Sequence, residues 1–163
     1  MSLKLDDVFF EKLLLTAKEN PRKRSHFNLH SDLNEAVQRL CVGLIKGTYV
    51  RPHHHPDKNK WELMLVLRGR VGLTIFDHNG VVLESLSLAQ GDALNGIELT
   101  PGTWHSVYAL SDEAVILEIK QGPYAPFCAS DYADWSPAEG DDEVGRFLHW
   151  LPLAKAGEQF VQQ

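Results

Sequence analysis

The sequence predicts an all-β core, a sandwich or barrel of short strands, with one helix at each end. Short β-like runs follow one another from residue 37 to residue 120. They recur about every 8–12 residues, with glycine, proline, asparagine or aspartate in almost every gap, which is typical of antiparallel sandwiches and barrels. Near both ends of the chain, apolar residues instead recur at helical spacing.

The predicted strands cover most of the middle of the chain. They are residues 37–45, 48–55, 61–67, 70–76, 81–88, 93–99, 105–110 and 114–120. Asn79-Gly80 between two of them is a hairpin signal. Before the first strand, the basic run Arg22-Lys23-Arg24 is interpreted as a solvated loop, the usual fate of such a run.

Each terminal helix has its own boundary signals. Asp6 or Asp7 can cap a first helix that runs to about Glu19, and Asn20-Pro21 ends it because the residue before proline disfavours helical geometry. A second helix is predicted over about residues 141–151. The expected apolar faces are Val8, Phe9, Leu13 and Ala17 in the first helix, and Val144, Phe147, Leu148 and Leu151 in the second.

The length and charge of the chain restrict its class. Its 163 residues suggest one structural domain, which we divide into an N-terminal helix and covering segment (1–36), a barrel (37–122) and a C-terminal extension with a short helix (123–163). A net charge of -6 argues against nonspecific nucleic-acid binding. Two cysteines are too few for a disulfide framework. Because no export signal or long apolar window is visible, we expect a cytoplasmic protein without membrane contact.

The unusual feature of the composition is eight histidines, three of them consecutive. In a strand, His53 and His55 leave on one face and His54 on the other. Glu62 shares a strand face with Met64, where an unpaired carboxylate would be costly. His105 follows a turn far along the chain.

Three imidazoles and one carboxylate form a candidate ligand set for a divalent transition metal such as Fe, Mn, Ni, Cu or Zn, in preference to Ca or Mg. The alternatives are equally concrete. A single histidine is more often a surface or core residue than a ligand, and a His-His-His run can be an exposed loop that binds metal weakly.

These residues resemble the two cupin motifs. Gly47 to His55 with Glu62 and Gly69 is similar to the first motif, and Gly96 to His105, with its Pro101-Gly102 turn, is similar to the second. The resemblance implies a cupin double-stranded β-helix, a jelly-roll barrel, with a metal inside its open end. It implies His53, His55, Glu62 and His105 as the ligands. The segment between His55 and Glu62 is longer than usual, and Ala109 stands where asparagine is often found.

Over nearly its whole length the chain also resembles the WbuC-like cupin-fold metalloproteins of bacterial surface-polysaccharide gene clusters. The similar segments are residues 24–30, 37–40, 47–55, 60–63, 101–105, 118–124 and 137–140. This resemblance implies a metalloprotein linked to lipopolysaccharide or related biosynthesis, and the family's habit implies a homodimer. It specifies the fold better than the activity.

Several polar residues are candidates for contacting a ligand. Strand alternation puts Tyr49 and Arg51 on the face of His53 and His55; Arg51 could anchor an anion or form a salt-bridged rim, and Tyr49 could act as an acid or fill the barrel. The segment before the barrel is expected to fold over its mouth. The remaining candidates are Arg24, Asn28, His30 and Lys60. The remaining histidines, His26, His78 and His149, are interpreted as solvated, and Glu118 and Lys120 as two charges exposed on one side of a strand.

Two classes of function fit the sequence. The first is a metal-dependent enzyme acting on a small sugar-like or anionic molecule, either an isomerase or epimerase, with Tyr49 and His30 as candidate catalytic groups, or, with iron, a dioxygenase. The second is a noncatalytic metal-dependent binding or regulatory protein, because one fold hosts unrelated functions. The sequence contains no phosphate loop or dinucleotide fingerprint.

Overall fold

The computed structural model describes residues 2–162, and they form an all-β core with a helix near each end, as predicted. The helices are α1 (Asp7–Glu19) and α2 (Val144–Trp150). The strands are β1 (Arg24–Asn28), β2 (Val37–Ile45), β3 (Glu62–Arg68), β4 (Arg70–Phe76), β5 (Val82–Ala89), β6 (Gly96–Leu99), β7 (Trp104–Ala109) and β8 (Glu113–Gln121). Short 3-10 turns lie at Ala129–Asp131 and Leu151–Leu153.

The strands form two antiparallel sheets, ordered β1-β2-β8-β3-β6 and β5-β4-β7. Apolar side chains from both sheets make one core cluster. Leu44, Val71, Leu73, Leu88 and Ile116 are fully buried in it, and each such side chain contributes about 1.5–3 kcal/mol by leaving water. This is the two-layer arrangement of a jelly-roll barrel.

Alternation along β3 confirms which of its residues face inward. Glu62, Met64 and Val66 are buried, whereas the residues between them are half-buried. Met64 and Val66 belong to the core cluster, and Glu62 lies on the same face nearer the open end. The carboxylate therefore projects into the barrel.

Helix α1 lies where it was predicted and buries Leu13 and Ala17 of the predicted face, but the rest of the buried face is shifted. The Asp6 carboxylate accepts a hydrogen bond from the Phe9 N–H at 3.1 Å, and the helix ends before Pro21. The buried side chains are Phe10, Leu13, Leu14 and Ala17, whereas Val8 of the predicted face is 65% exposed. The helix covers the outer side of the five-stranded sheet at Cys41 and Val115, so the sheet, not the helix alone, decides which face is buried.

The predicted strand at 48–55 is wrong: the segment is irregular, with isolated bridges from His53 to His105 and to Tyr132. Gly47 turns the chain with a φ of 84° just before it. Pro52 lacks an N–H and cannot donate to a ladder. The segment therefore crosses the open end of the barrel without joining either sheet along its length.

Two further strand boundaries differ from the predictions. Arg24, expected in a solvated loop, begins β1, which pairs with β2 from Arg24↔Leu44 to Asn28↔Leu40. Strand β6 begins at Gly96 instead of residue 93 because a turn with Gly91 at a φ of 83° precedes it. The basic run is thus partly structural, and Arg24 is only 8% exposed.

The C-terminal helix is shorter than predicted, and of the predicted apolar face Phe147 and Leu151 are buried, whereas Val144 and Leu148 are half-buried. Phe147 and Leu151 are fully buried and pack with Tyr49, Tyr108 and Phe160 in a second, aromatic-rich cluster. Among the described residues, no helix combines the length and apolar character needed to cross a membrane.

Candidate metal centre and ligand cavity

His53 and His105 are fixed against each other by their backbones. The His53 N–H donates to the His105 carbonyl at 3.0 Å, and the His105 N–H donates to the His53 carbonyl at 2.9 Å. Residues that exchange both bonds in this way place their side chains on the same side. The two ring centroids are accordingly 4.4 Å apart.

His55 completes a histidine cluster with His53 and His105. One ring nitrogen of each of the three lies within 4.8 Å of the others, which is close enough for a shared metal ion. The intervening His54 points away and packs on Trp104, with ring centroids 4.0 Å apart. The alternation inferred for residues 53–55 therefore holds, although the segment is not a regular strand.

Hydrogen bonds to carbonyl groups orient two of the rings. Nδ1 of His53 lies 2.9 Å from the Arg51 carbonyl, and Nδ1 of His105 lies 2.9 Å from the Thr103 carbonyl. A carbonyl only accepts, so each Nδ1 donates and each Nε2 keeps its lone pair. This pairing of one ring nitrogen with an outer hydrogen bond is usual for metal-binding histidines.

Burial keeps the same rings uncharged. It lowers the pKa of His53 well below its usual range, and the neighbouring His105 lowers it further. Burial also lowers the pKa of His105. Because metal ligation needs the neutral imidazole, this environment favours ligation over protonation.

The carboxylate of Glu62 lies directly beside the cluster. Its Oε2 is 2.9 Å from His55 Nε2 and 3.7 Å from His105 Nε2, and the residue is 3% exposed. Burial would raise the pKa of Glu62, but the ammonium of Lys120 and the hydrogen bond from His55 lower it well below its usual range. Glu62 is therefore an anion in a buried site.

The donor set fits a transition metal ion. Two ligand atoms that each lie about 2.1 Å from a metal ion, with an angle of about 90° between the two bonds, are about 3 Å apart. His55 Nε2 and Glu62 Oε2 are 2.9 Å apart. Neutral nitrogens with one anionic oxygen suit Fe, Mn, Ni or Zn. The three histidines thus could hold a metal ion, and Glu62 is placed to complete its ligands.

Two charged residues of β8 adjoin Glu62. Lys120 Nζ lies 3.5 Å from Glu62 Oε1 and 3.0 Å from Glu118 Oε2. Burial opposes charge on Lys120, yet the carboxylates of Glu118 and Glu62 raise its pKa. Burial, with the nearby charge of Glu62, raises the pKa of Glu118. The three form one ionic cluster, in which Glu62 is buried and the other two are half-buried; we call it the Glu–Lys–Glu cluster.

Glu118 and Lys120 lie on one side of their strand, as predicted, but their side chains are only 13% and 19% exposed there. Both side chains line the cavity instead of bulk solvent. The sequence contains a signal for this position, because the apolar residues Ala114 and Ile116 precede Glu118 and Lys120 on the same side of the strand. In the structure both apolar residues are fully buried. A strand face that starts apolar and ends charged indicates a core that opens into a polar site.

A cavity of about 710 Å3 opens beside the histidine cluster, which is the size of a small-molecule site. Its wall includes all three clustered histidines and Glu62. The charged residues that line it are Arg22, Arg24, Arg51, Lys60, Lys120, Glu62, Glu118 and Glu139. Five basic side chains against three carboxylates make the wall positive, although the whole chain is acidic.

The structure brings both predicted arginines to this cavity. Arg24 donates to the Tyr49 carbonyl at 2.6 Å and to Glu139 at 3.1 Å. Arg51 donates through Nη2 to the Ala133 carbonyl at 2.6 Å. Within residues 2–162, Arg51 Nη1 has no hydrogen-bond partner, so this guanidinium can still bind an anion.

Asn28, His30 and Lys60 also line the cavity, as does His26. His26 lies on β1, and its side chain is exposed where it borders the cavity, in keeping with the solvated position expected for it. Lys60 donates to the Pro123 carbonyl at 3.2 Å. The N-terminal segment thus contributes to the wall of the cavity.

Tyr49 does not reach the cavity. Its hydroxyl donates to the Pro137 carbonyl at 2.8 Å, and its ring packs edge-on against Phe147. The alternation that assigned Tyr49 to the metal side assumed a regular strand, and this segment is irregular. Burial raises the pKa of Tyr49 to about 12, so its environment is that of a core residue.

An irregular segment after β8 covers the metal side of the cavity. Phe127 packs on His53 and His55, with ring centroids 5.1 and 5.3 Å away. Tyr124 and Ala125 from the same segment line the cavity. An aromatic ring against the imidazoles limits the access of water to them.

Solved structures with the same architecture support the fold. Oxalate oxidase in complex with glycolate matches with a TM-score of 0.54 and 20% identity over 77% of this chain, which spans 65% of that chain. The protein TT1209 of Thermus thermophilus matches with a TM-score of 0.52 and 19% identity over 73% of this chain and 97% of that one. SPY1581 of Streptococcus pyogenes, a protein of unknown function, matches with a TM-score of 0.52 and 19% identity over 77% and 92%. The barrel is a cupin fold.

Sequence comparison gives the family. No curated protein matches the chain. One family model, described as a domain of unknown function (DUF6016), matches residues 5–88. This match covers helix α1, strands β1 to β4 and most of β5, including three of the four candidate metal ligands. With just over half of its length matched, the chain belongs to the DUF6016 family.

Proposed function

We propose that this protein binds one divalent transition metal ion through Nε2 of His53, His55 and His105 and through the Glu62 carboxylate. The observation that carries the proposal is the orientation of the rings. Carbonyl groups take up Nδ1 of His53 and His105, and the remaining nitrogens converge with the Glu62 oxygen. The ion is proposed to be Fe, Mn, Ni or Zn.

We further propose that the cavity takes a small anionic molecule beside the metal. The wall carries more basic than acidic side chains, and a divalent cation would add to this excess. Arg51 Nη1 supplies a donor that the described part of the chain leaves free. A half-buried guanidinium and a metal ion together favour an oxygen-rich anion such as a carboxylate.

For the activity we propose isomerisation or epimerisation of a sugar-like substrate. A metal in this position supplies a Lewis acid that polarises a carbonyl and acidifies the neighbouring C–H bond. The residues of the chain orient the substrate through Arg51 and exclude water through Phe127. With Tyr49 outside the cavity, His30 is the remaining predicted catalytic group. The resemblance to WbuC-like proteins directs the choice of test compounds to sugars and sugar acids.

A specific observation favours a second function, that of a noncatalytic binding protein. Lys120, Glu118 and Glu62 are engaged with one another in the Glu–Lys–Glu cluster. Tyr49 lies in the aromatic core instead of the cavity. A site whose acid–base groups are internally paired is suited to holding an anion without transforming it.

Metal analysis tests the proposal. Protein purified without an affinity tag should contain about one transition metal ion per chain. His53→Ala, His105→Ala and Glu62→Gln should each lose it, whereas His149→Ala, on the exposed side of α2, should retain it. Unchanged metal content in all three ligand variants would overturn the proposed site.

Turnover separates the two functions. Metal-loaded protein is incubated with candidate sugars and sugar acids, and product formation and thermal stabilisation are measured together. Product formation that disappears with the metal supports the isomerase or epimerase. Stabilisation by a ligand that is recovered unchanged supports the binding protein.

A further inference from the structure

Two buried polar atoms in the wall of the cavity have no hydrogen-bond partner among the described residues. They are Nε2 of His30 and Oε1 of Gln38, in residues that are 8% and 3% exposed. Both residues line the same cavity. A buried polar group without a hydrogen-bond partner is costly and rare in native proteins. We therefore expect these two atoms to form hydrogen bonds with a group of a bound ligand.

The orientation of the Gln38 amide is fixed by its neighbours. Its Nε2 donates to the Glu35 carbonyl at 2.8 Å and to the Leu33 carbonyl at 3.2 Å. A flipped amide would place an oxygen against two carbonyl oxygens, which cannot donate. The unpaired atom is therefore Oε1, an acceptor.

The tautomer of His30 follows from the backbone of Arg39. The Arg39 N–H points at His30 Nδ1 from 3.0 Å. The Arg39 carbonyl lies 2.8 Å from the same nitrogen, but it already accepts from the Leu29 N–H at 2.7 Å. With Nδ1 as the acceptor, every backbone group here is satisfied and Nε2 carries the proton. The unpaired atom of His30 is therefore a donor.

The sheet register relates this pair to the proposed metal site. Gln38 on β2 is directly opposite Lys120 on β8, and Lys120 is directly opposite Glu62 on β3. Residues in such a row share one face of the sheet, and neighbouring strands lie about 4.8 Å apart. The backbones of Gln38 and Glu62 are thus two strand spacings, roughly 10 Å, apart.

We propose that His30 Nε2–H and Gln38 Oε1 form a hydroxyl-binding subsite, which makes the ligand of this cavity a polyhydroxylated anion of the sugar-acid class. The proposal rests on the proposed function for the position of the anionic end, which lies at the metal and Arg51. The distal end of the ligand then places a hydroxyl at the subsite.

A hydroxyl is the group that meets both requirements. Its oxygen accepts from His30 Nε2–H, and its hydrogen is donated to Gln38 Oε1. A carboxylate would leave the Gln38 acceptor unmet, and an ammonium group would leave the His30 donor unmet. An apolar end would leave both unmet, so the subsite discriminates by the cost of unpaired buried groups.

A pair of matched probes tests the proposal by calorimetry. Gluconate and 2-hydroxyhexanoate share a carboxylate and an adjacent hydroxyl, but only gluconate carries distal hydroxyls. We expect gluconate to bind about tenfold more tightly, as two additional hydrogen bonds in a buried site would give. In His30→Asn, whose side-chain oxygen can still accept from Arg39 N–H, the ratio should fall to about threefold or less. His149→Asn, the same change on exposed α2, should keep it.

The titrations are run on metal-loaded and on metal-stripped protein. Removing the metal should weaken both probes yet preserve their ratio, because the distal hydroxyls contact His30 and Gln38. If the protein binds no metal but still prefers gluconate, the proposed metal site is wrong and the proposed hydroxyl-binding subsite stands. Equal affinities in wild type, no binding of either probe, or a ratio unchanged in His30→Asn would overturn the subsite and indicate a buried structural water only.

Nuclear magnetic resonance of the wild-type protein provides a readout that needs no variant. The side-chain ¹⁵N signal of His30 Nε2 should shift on addition of gluconate and stay in place with 2-hydroxyhexanoate. The same response to both probes would contradict the proposal.

Discussion

The two ends of the cavity differ in how completely the protein satisfies its own polar groups. At the histidine cluster, His53 and His105 are oriented by backbone carbonyls, and Glu62 has Lys120 and His55 beside it. At the far end, His30 and Gln38 each leave a buried atom unpaired among the described residues. The near end is organised before any ligand arrives, whereas the far end depends on a ligand group to complete it.

This difference predicts different responses to substitution. Changes at the near end should affect metal binding and stability, because the groups there hold one another in place. Changes at the far end should affect the choice of ligand.

The largest effect is expected for His105→Gln. This change removes one of the three Nε2 atoms proposed to bind the metal. It also removes the His105 ring that contacts the ring of His53 and is oriented by the Thr103 carbonyl. Metal affinity should fall by more than the 10–100-fold that loss of an outer hydrogen-bond partner costs. Competition with a metal-chelating dye measures this loss. His149→Gln should match wild type, and wild-type affinity in His105→Gln would remove this residue from the ligand set.

Next is Lys120→Met, which leaves the buried Glu62 and the half-buried Glu118 without their shared cation. Breaking a buried pair on one side typically costs about 3–5 kcal/mol, and urea denaturation should show a fall of this size in the free energy of unfolding. Adding Glu118→Leu should restore part of it.

Lys46→Met provides the matched control for that change. Lys46 pairs with an almost fully exposed Asp112 at 3.8 Å, so its removal should leave the free energy of unfolding close to that of wild type. Equal losses in Lys120→Met and Lys46→Met would show that the Glu–Lys–Glu cluster is not a buried ionic unit.

A smaller effect is expected for Arg51→Met on the affinity for gluconate. The change removes the free Nη1 donor but leaves the histidine cluster intact. Affinity should fall about tenfold, the value of one charge-assisted hydrogen bond, at unchanged metal content. The affinities are measured by calorimetry. Arg70→Met, which removes an exposed ion pair with Asp92, is the control and should keep the wild-type affinity. Unchanged gluconate affinity in Arg51→Met would exclude it as the anion anchor.

The smallest effect is expected for Tyr49→Phe. The loss of one hydrogen bond to the Pro137 carbonyl should lower the free energy of unfolding by about 0.5–1.5 kcal/mol. Metal content and gluconate affinity should not change, because the residue lies in the aromatic cluster. A marked loss of either would place Tyr49 in the binding site after all.

The sequence was informative where side-chain spacing alone decides the outcome. The inward position of Glu62 followed from alternation along β3, and the shared side of His53 and His55 followed from their spacing. Both inferences depend on local backbone geometry. The strong patterns of the barrel strands likewise located most of the two sheets.

The sequence was less informative where packing across the molecule decides. Strand alternation puts Tyr49 on the face of the histidines only if the strand is regular, and this segment is irregular; of its two predicted roles, packing is the one that fits. Lys120 and Glu118 were interpreted as exposed because nothing local shows that β8 lies between β2 and β3. The unpaired state of Gln38 depends on the carbonyls of Leu33 and Glu35 and could not be inferred from its neighbours in the sequence.

Binding of one metal ion by the Nε2 atoms of His53, His55 and His105 can be observed in side-chain ¹⁵N spectra recorded during titration with Zn2+. We predict that the Nε2 signals of all three rings shift together and saturate at one ion per chain, while His53 and His105 keep their proton on Nδ1. Binding through Nδ1, or saturation without any shift in the signals of these three rings, would show that these Nε2 atoms are not the metal ligands.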